Sequence, residues 1–87
     1  MNFWNKKTFK VKLRGRSKVE YIEGGRHISI DSEFMSDEEP GIILYAGNLT
    51  CWDRPFEREI LSQDDLDRIK KNVLVDLKKY DIIAEWH

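Results

Sequence analysis

The sequence has one cysteine, two prolines and two histidines in 87 residues, and it has no long apolar run. A single cysteine excludes an internal disulfide, which agrees with a reducing compartment. No run approaches the roughly 18 apolar residues of a membrane-spanning helix, and residues 1–7 lack the apolar stretch of a signal peptide. We therefore expect a cytoplasmic protein with no membrane partner, folded as a single domain over residues 1–87.

The same scarcity argues against an enzyme. His27 lies beside a predicted turn and His87 is the last residue, and neither has cysteine or carboxylate neighbours at the spacing of metal ligands. Cys51 has the chemistry of a nucleophile, but a lone cysteine is more often a small apolar core residue. No glycine-rich phosphate-binding run is present. We expect no catalytic residues, no metal and no cofactor.

Charge is abundant but segregated along the chain, although the net charge is −1. Residues 1–18 carry seven lysines and arginines and no acid, whereas residues 19–59 carry ten acids and three bases. A basic segment is one signature of nucleic-acid binding, so a small nucleic-acid adaptor is an alternative hypothesis. The overall charge balance does not favour it, and the basic residues are predicted below to pair with acids of a neighbouring strand.

The first half of the chain predicts three strands. Residues 8–14 alternate apolar and basic side chains, which is typical of a half-buried strand. The Gly-Gly pair at 24–25 suits a tight turn, which would place Tyr21 opposite Ile28, and a short loop before it would place Val11 opposite Tyr21. The expected polar pairs are Lys12–Glu20, Glu20–Ser29, Lys18–Asp31 and Glu23–Arg26.

The second half predicts a strand, a helix and a last strand. The strand lies at about 41–46 and the last one at 82–86, with Ser62 as the cap of the helix between them. Apolar residues at steps of three and four form the buried stripe of that helix: Leu66, Ile69, Val73, Leu77 and Tyr80. The predicted fold class is α+β, a mainly antiparallel sheet in the order ββββαβ with one long C-terminal helix packed on one face.

Residues 42–46 are apolar on both sides, although one helix can cover only one face of a sheet. The second face must then be covered by Phe3 and Trp4, by a second copy of the chain in a homodimer, or by a protein partner. The aromatic and charged segment that follows can close the core, or it can present Trp52 and Arg54 to that partner.

Several motifs in order resemble a family of small α+β immunity proteins of bacterial polymorphic or contact-dependent toxin systems. The motifs are Glu20–Arg26, Ile30–Glu33, Ile43–Tyr45, Trp52–Pro55 and the helical segment Ile69–Leu77. The resemblance implies a cytoplasmic, non-enzymatic protein that binds one cognate toxin domain and neutralises it by protein contact.

A basic toxin, such as a nuclease, would be steered by acidic residues and held by aromatic or arginine side chains. The predicted contact residues are Asp31, Glu33, Asp37, Glu38, Glu39, Tyr45, Trp52 and Arg54. A homo-oligomeric accessory protein that pairs through residues 42–46 is the other alternative hypothesis.

Overall fold

The computed structural model describes residues 8–15, 17–34 and 41–87. Its elements are β1 (Phe9–Arg14), β2 (Lys18–Glu23), β3 (Arg26–Phe34), β4 (Gly41–Tyr45), α1 (Gln63–Lys78) and β5 (Ile83–Trp86). The strands form one sheet in chain order; β1 to β4 are antiparallel, and β5 runs parallel to β4. The α+β class, the ββββαβ order and the packing of one helix on one face are confirmed.

Both hairpin registers match the prediction. Val11 lies opposite Tyr21, and Tyr21 lies opposite Ile28. Gly24 and Gly25 have φ angles of 56° and 81°, a region that side chains with a Cβ rarely adopt, so the glycine pair permits this turn. The register therefore follows from the sequence pattern and the turn chemistry together.

The helix begins where its cap predicts. The Ser62 Oγ accepts from the Asp65 backbone N–H, and the Asp65 carboxylate accepts from the Ser62 backbone N–H, so both groups are satisfied. Ile69, Val73 and Leu77 are buried, and Leu66 is partly buried against them. The extension of this stripe to Tyr80 was wrong. The helix ends at Lys78, and Tyr80 is 69% exposed in the turn that leads to β5.

The core lies between the sheet and α1. Ile42 and Leu44 are 1% and 0% exposed on that side, whereas Ile43 is half-buried and Tyr45 is 37% exposed on the opposite side. In residues 8–15, 17–34 and 41–87, α1 is the single helix, and it packs on the Ile42 side. The strand thus has two apolar sides, and Phe3 and Trp4 lie outside the described residues.

Candidate functional site

The face of the sheet opposite α1 carries both signs of charge, and the register sorts them by strand. Lys12 of β1 lies opposite Glu20, Lys18 opposite Asp31, and Glu33 opposite Ile43, whose other neighbour is Glu85 of β5. The charge segregation along the chain therefore becomes a gradient across the sheet. Its β1 edge is basic, and its β3, β4 and β5 side is acidic.

The acidic side also has an apolar centre, and we call the whole area the β3–β5 surface. It consists of Asp31, Glu33, Ile43, Tyr45, Ile83 and Glu85. Tyr45 Oη donates to Glu33 Oε1 at 2.8 Å, and this bond to a carboxylate raises the pKa of Tyr45. Ile83 of β5 lies opposite Gly41 of β4 on the same face, and this large apolar side chain is 71% exposed.

The acids around this centre are held by neighbours on the same face. Asp31 pairs with Lys18 and accepts from Asn48 Nδ2 at 3.3 Å, and these bonds, Lys18 first, lower the pKa of Asp31. Glu85 lies 3.5 Å from His87 Nε2. The His87 ring meets the Tyr45 ring edge-on, with the centroids 6.3 Å apart. Partners on the same face therefore fix the positions of Asp31, Tyr45 and Glu85.

Trp52 and Arg54, which were also predicted as contact residues, lie elsewhere. Trp52 is 6% exposed, and its ring stacks on Tyr21 in the core with 6.4 Å between the centroids. The Asp53 backbone N–H donates to the His27 carbonyl at 2.8 Å. His27 lies four residues, about 13 Å, from Asp31 along β3. Arg54, whose side chain is 92% exposed, pairs there with Glu57 at 3.4 Å.

The structure therefore brings Asp31, Glu33 and Tyr45 together and separates them from Trp52 and Arg54. Trp52 is a core residue that closes the loop between β4 and α1, as the lid interpretation predicts. Asp37, Glu38 and Glu39 lie outside the described residues.

Sequence reasoning missed a buried polar network under the first hairpin. Glu23 is 3% exposed, and it accepts from Arg68 Nε and Nη2 at 3.0 and 2.8 Å and from Tyr21 Oη at 2.6 Å. Asn72 Nδ2 donates to the same Tyr21 oxygen at 2.9 Å. Burial, followed by the bond to Glu23, raises the pKa of Tyr21. The network adds an ion pair and hydrogen bonds to the apolar contacts between α1 and β2.

Glu23 lies opposite Arg26, as the predicted register requires, but the two side chains form ion pairs with other residues. Arg26 Nε and Nη2 donate to the carboxylate of Glu59 at 2.5 and 2.8 Å, and the guanidinium lies 4.3 Å from the centre of the Phe56 ring. Glu23 turns inward because it shares the two-residue period of Val19 and Tyr21. That shared period was the available signal, since a charged residue in phase with core residues requires a buried partner.

The cysteine and histidines occupy unremarkable places. Cys51 is half-buried in a bridge to Ile60, and His27 Nδ1 lies 2.8 Å from Glu20 Oε2. Within the described ranges, no three His, Cys, Asp or Glu residues are grouped as metal ligands would be. The same ranges contain no helix of the length and apolar character that a bilayer crossing needs.

Comparison with known proteins identifies the family. The model of the family described as Immunity protein 74 matches residues 10–85, which include all five strands except Phe9 and Trp86. No curated protein matched the chain, and no solved structure did. Because the family match spans most of the chain, this protein belongs to the Immunity protein 74 family, the antidotes of bacterial polymorphic toxin systems that act by inhibition and not by catalysis.

Proposed function

We propose that the chain neutralises its cognate toxin by direct contact through the β3–β5 surface. The observation that carries this proposal is a group of apolar and aromatic side chains flanked by acidic ones, on the face of the sheet that α1 leaves uncovered: Ile43, Tyr45 and Ile83 with Asp31, Glu33 and Glu85. Binding interfaces commonly have this arrangement, in which central anchors lose water and a polar rim surrounds them.

The centre would supply most of the affinity. Burying an exposed isoleucine side chain contributes about 1.5–3 kcal/mol, and Ile83 has 71% of its surface to lose. Tyr45 adds an aromatic ring whose hydroxyl is already bonded to Glu33, so docking leaves no unpaired polar group at that position. These two side chains and half-buried Ile43 are the proposed anchors.

The acidic rim would raise the rate of association with the toxin and select for a basic partner. Acidic residues attract a basic partner over a distance of about 8 Å at physiological salt, which raises the association rate more than the affinity. Asp37, Glu38 and Glu39 lie in the sequence between β3 and β4, outside the described residues. We propose that they contribute to this attraction.

The partner that fits an acidic surface is a toxin with a basic face. A nuclease has such a face because it must bind phosphates, and an acidic inhibitor can occupy it. The proposed place of the encounter is the cytoplasm of the producing cell, and the single cysteine agrees with its reducing conditions.

The experiment uses the cognate toxin domain, which is to be sought among the genes next to the one that encodes this chain. Co-expression of the two should restore growth, and Glu85→Lys should slow their association, most strongly at low salt. Glu57→Lys is the matched control, because Glu57 is also an exposed acid but lies on the segment with Arg54. Equal association rates for the two variants would refute the steering role. Growth arrest despite co-expression would refute neutralisation of that toxin.

A further inference from the structure

The strand at the basic end of the sheet has an unpaired edge. β1 is the terminal strand, and among the described residues it pairs with β2 alone. Alternate residues of such a strand direct their backbone N–H and C=O groups away from the sheet, where they can accept another strand. Six residues, Phe9–Arg14, form this edge.

Two grooves of different character flank the edge. On the α1 side, a groove of about 320 Å³ is lined by five apolar or aromatic side chains and one acid: Val11, Leu13, Leu77, Tyr80, Ile82 and Asp76. Leu13 and Tyr80 are 42% and 69% exposed. On the opposite side, a groove of about 330 Å³ is lined by Lys10 and Lys12 together with Thr8, Phe9, Ile22 and the glycine turn. The first groove is therefore mainly apolar, and the second adds two lysines to apolar neighbours.

The cations of the second groove are available for a partner. Arg14 pairs with Glu20 at 2.7 Å, and Lys18 pairs with Asp31. Among the described residues, no carboxylate pairs with Lys10 or Lys12, and both side chains are exposed. The basic excess of the sheet is concentrated at these two positions.

We infer that the β1 edge binds an extended segment of the toxin in which acidic and apolar side chains alternate. In an added strand, successive side chains point to opposite faces, so the acids would lie against Lys10 and Lys12 and the apolar groups against Val11 and Leu13. This inference rests on neutralisation by direct contact. It does not depend on the β3–β5 surface, whose nearest strand, β3, lies two strand spacings, about 10 Å, from β1.

A second copy of the chain is a poor occupant of this edge. Antiparallel pairing of two β1 strands would place the exposed Lys10, Lys12 and Arg14 of one copy against the same residues of the other. Like charges directly opposite each other destabilise a strand pair. Charge complementarity therefore favours a segment with acids at alternate positions.

A peptide experiment tests the chemistry of the edge without the toxin. The probe is a capped seven-residue peptide of alternating glutamate and valine, and its control has lysine in place of glutamate. We expect the glutamate peptide to slow hydrogen exchange of β1 amides in the full chain, and the lysine peptide to leave it unchanged. The variant Lys10→Glu/Lys12→Glu should reverse this preference, whereas Arg58→Glu/Lys71→Glu, which changes two exposed charges elsewhere, should keep it.

The same measurement on the complex with the toxin separates the two proposals. Slower exchange in β1 on toxin binding supports the edge site, even if β4 and β5 do not change. Slower exchange confined to β4 and β5 overturns the edge site and leaves the proposed function standing. Slow exchange along the outer edge of β1 in the free chain would overturn the edge site, because the edge would then be already paired. Protection of β1 that rises with chain concentration alone would also overturn it, in favour of a second copy. Protection by a DNA or RNA oligonucleotide but not by the glutamate peptide would overturn it in favour of nucleic acid.

Discussion

Replacing Arg68 by methionine tests how much the buried network contributes to the fold. Methionine retains much of the aliphatic stem, so the main loss is the guanidinium that donates two hydrogen bonds to Glu23. Glu23 is 3% exposed, so its carboxylate would remain in a buried site with fewer hydrogen-bond donors. Removing one member of a buried pair destabilises a protein by about 3–5 kcal/mol.

The expected loss is smaller here because the pair is not fully enclosed. The Arg68 side chain is 31% exposed, and Tyr21 still donates to Glu23 after the change. We expect the free energy of unfolding to fall by about 2–3 kcal/mol. A domain of 87 residues has about 4–13 kcal/mol in total, so the loss is a substantial part of its stability.

Urea unfolding followed by tryptophan fluorescence measures this change. Arg58→Met is the control, because Arg58 is exposed, and it should alter the free energy of unfolding by less than about 0.5 kcal/mol. The double variant Glu23→Gln/Arg68→Met should recover part of the lost free energy of unfolding, since a neutral amide replaces the buried carboxylate. A loss below about 1 kcal/mol in Arg68→Met would show that the Glu23–Arg68 pair stabilises the fold no more than an exposed ion pair does.

Three further predictions concern single polar groups. Ser32→Ala should raise the free energy of unfolding by about 1 kcal/mol, because the Ser32 Oγ is buried and has no partner among the described residues. Ser62→Ala should lower it by about 1 kcal/mol through loss of the helix cap, measured by the same urea titration. Asp65→Asn should flatten the loss of stability in acid. The pKa of Asp65 lies below its ordinary 3.8, mainly because its carboxylate accepts from the Ser62 backbone N–H. The ionised carboxylate therefore stabilises the fold above about pH 3.8, and this stabilisation is lost as the pH falls through the lowered pKa.

Each of these predictions has its own control. Ser17→Ala changes an exposed turn residue and should leave the free energy of unfolding unchanged. If it raised that free energy as much as Ser32→Ala does, burial of the hydroxyl would not be the cause of the gain. If Ser62→Gly destabilised as much as Ser62→Ala, the capping argument would fail, since glycine is tolerated at this position. Parallel stability curves for the parent chain and Asp65→Asn between pH 5 and pH 2 would contradict the assigned pKa.

The strands and their registers could be predicted because local rules agreed with one another. The alternation of β1, the glycine turn and the cross-strand partners all pointed to one pairing, and a shift by one residue would have exposed Val19 and Tyr21. The helix began at Ser62 for a similar local reason. Tyr80 continues the helical period in the sequence, but the helix ends at Lys78, and Asp81, with a φ of 60°, lies in the turn before β5.

Long-range partners could not be predicted in this way. Glu23 and Arg68 are far apart in the chain, and only the packing of α1 on β2 brings them together. The contact residues show the same limit, since Tyr45 and Glu33 meet through the β3–β4 register, whereas Trp52 folds inward onto Tyr21. Trp52 lies outside the strands and the helix, so no period of the sequence indicates whether its ring faces the core or the surface.

The binding of two isoleucine variants shows whether the β3–β5 surface contacts the toxin. Ile83→Arg changes an exposed residue of that surface, and Ile60→Arg changes an equally exposed one on the loop before α1, with exposures of 71% and 74%. The affinity of both variants for the cognate toxin domain can be measured by titration calorimetry. We expect at least tenfold weaker binding for Ile83→Arg, about 1.4 kcal/mol, and unchanged binding for Ile60→Arg. Binding by Ile83→Arg as tight as that of the parent chain would show that the toxin does not contact this surface.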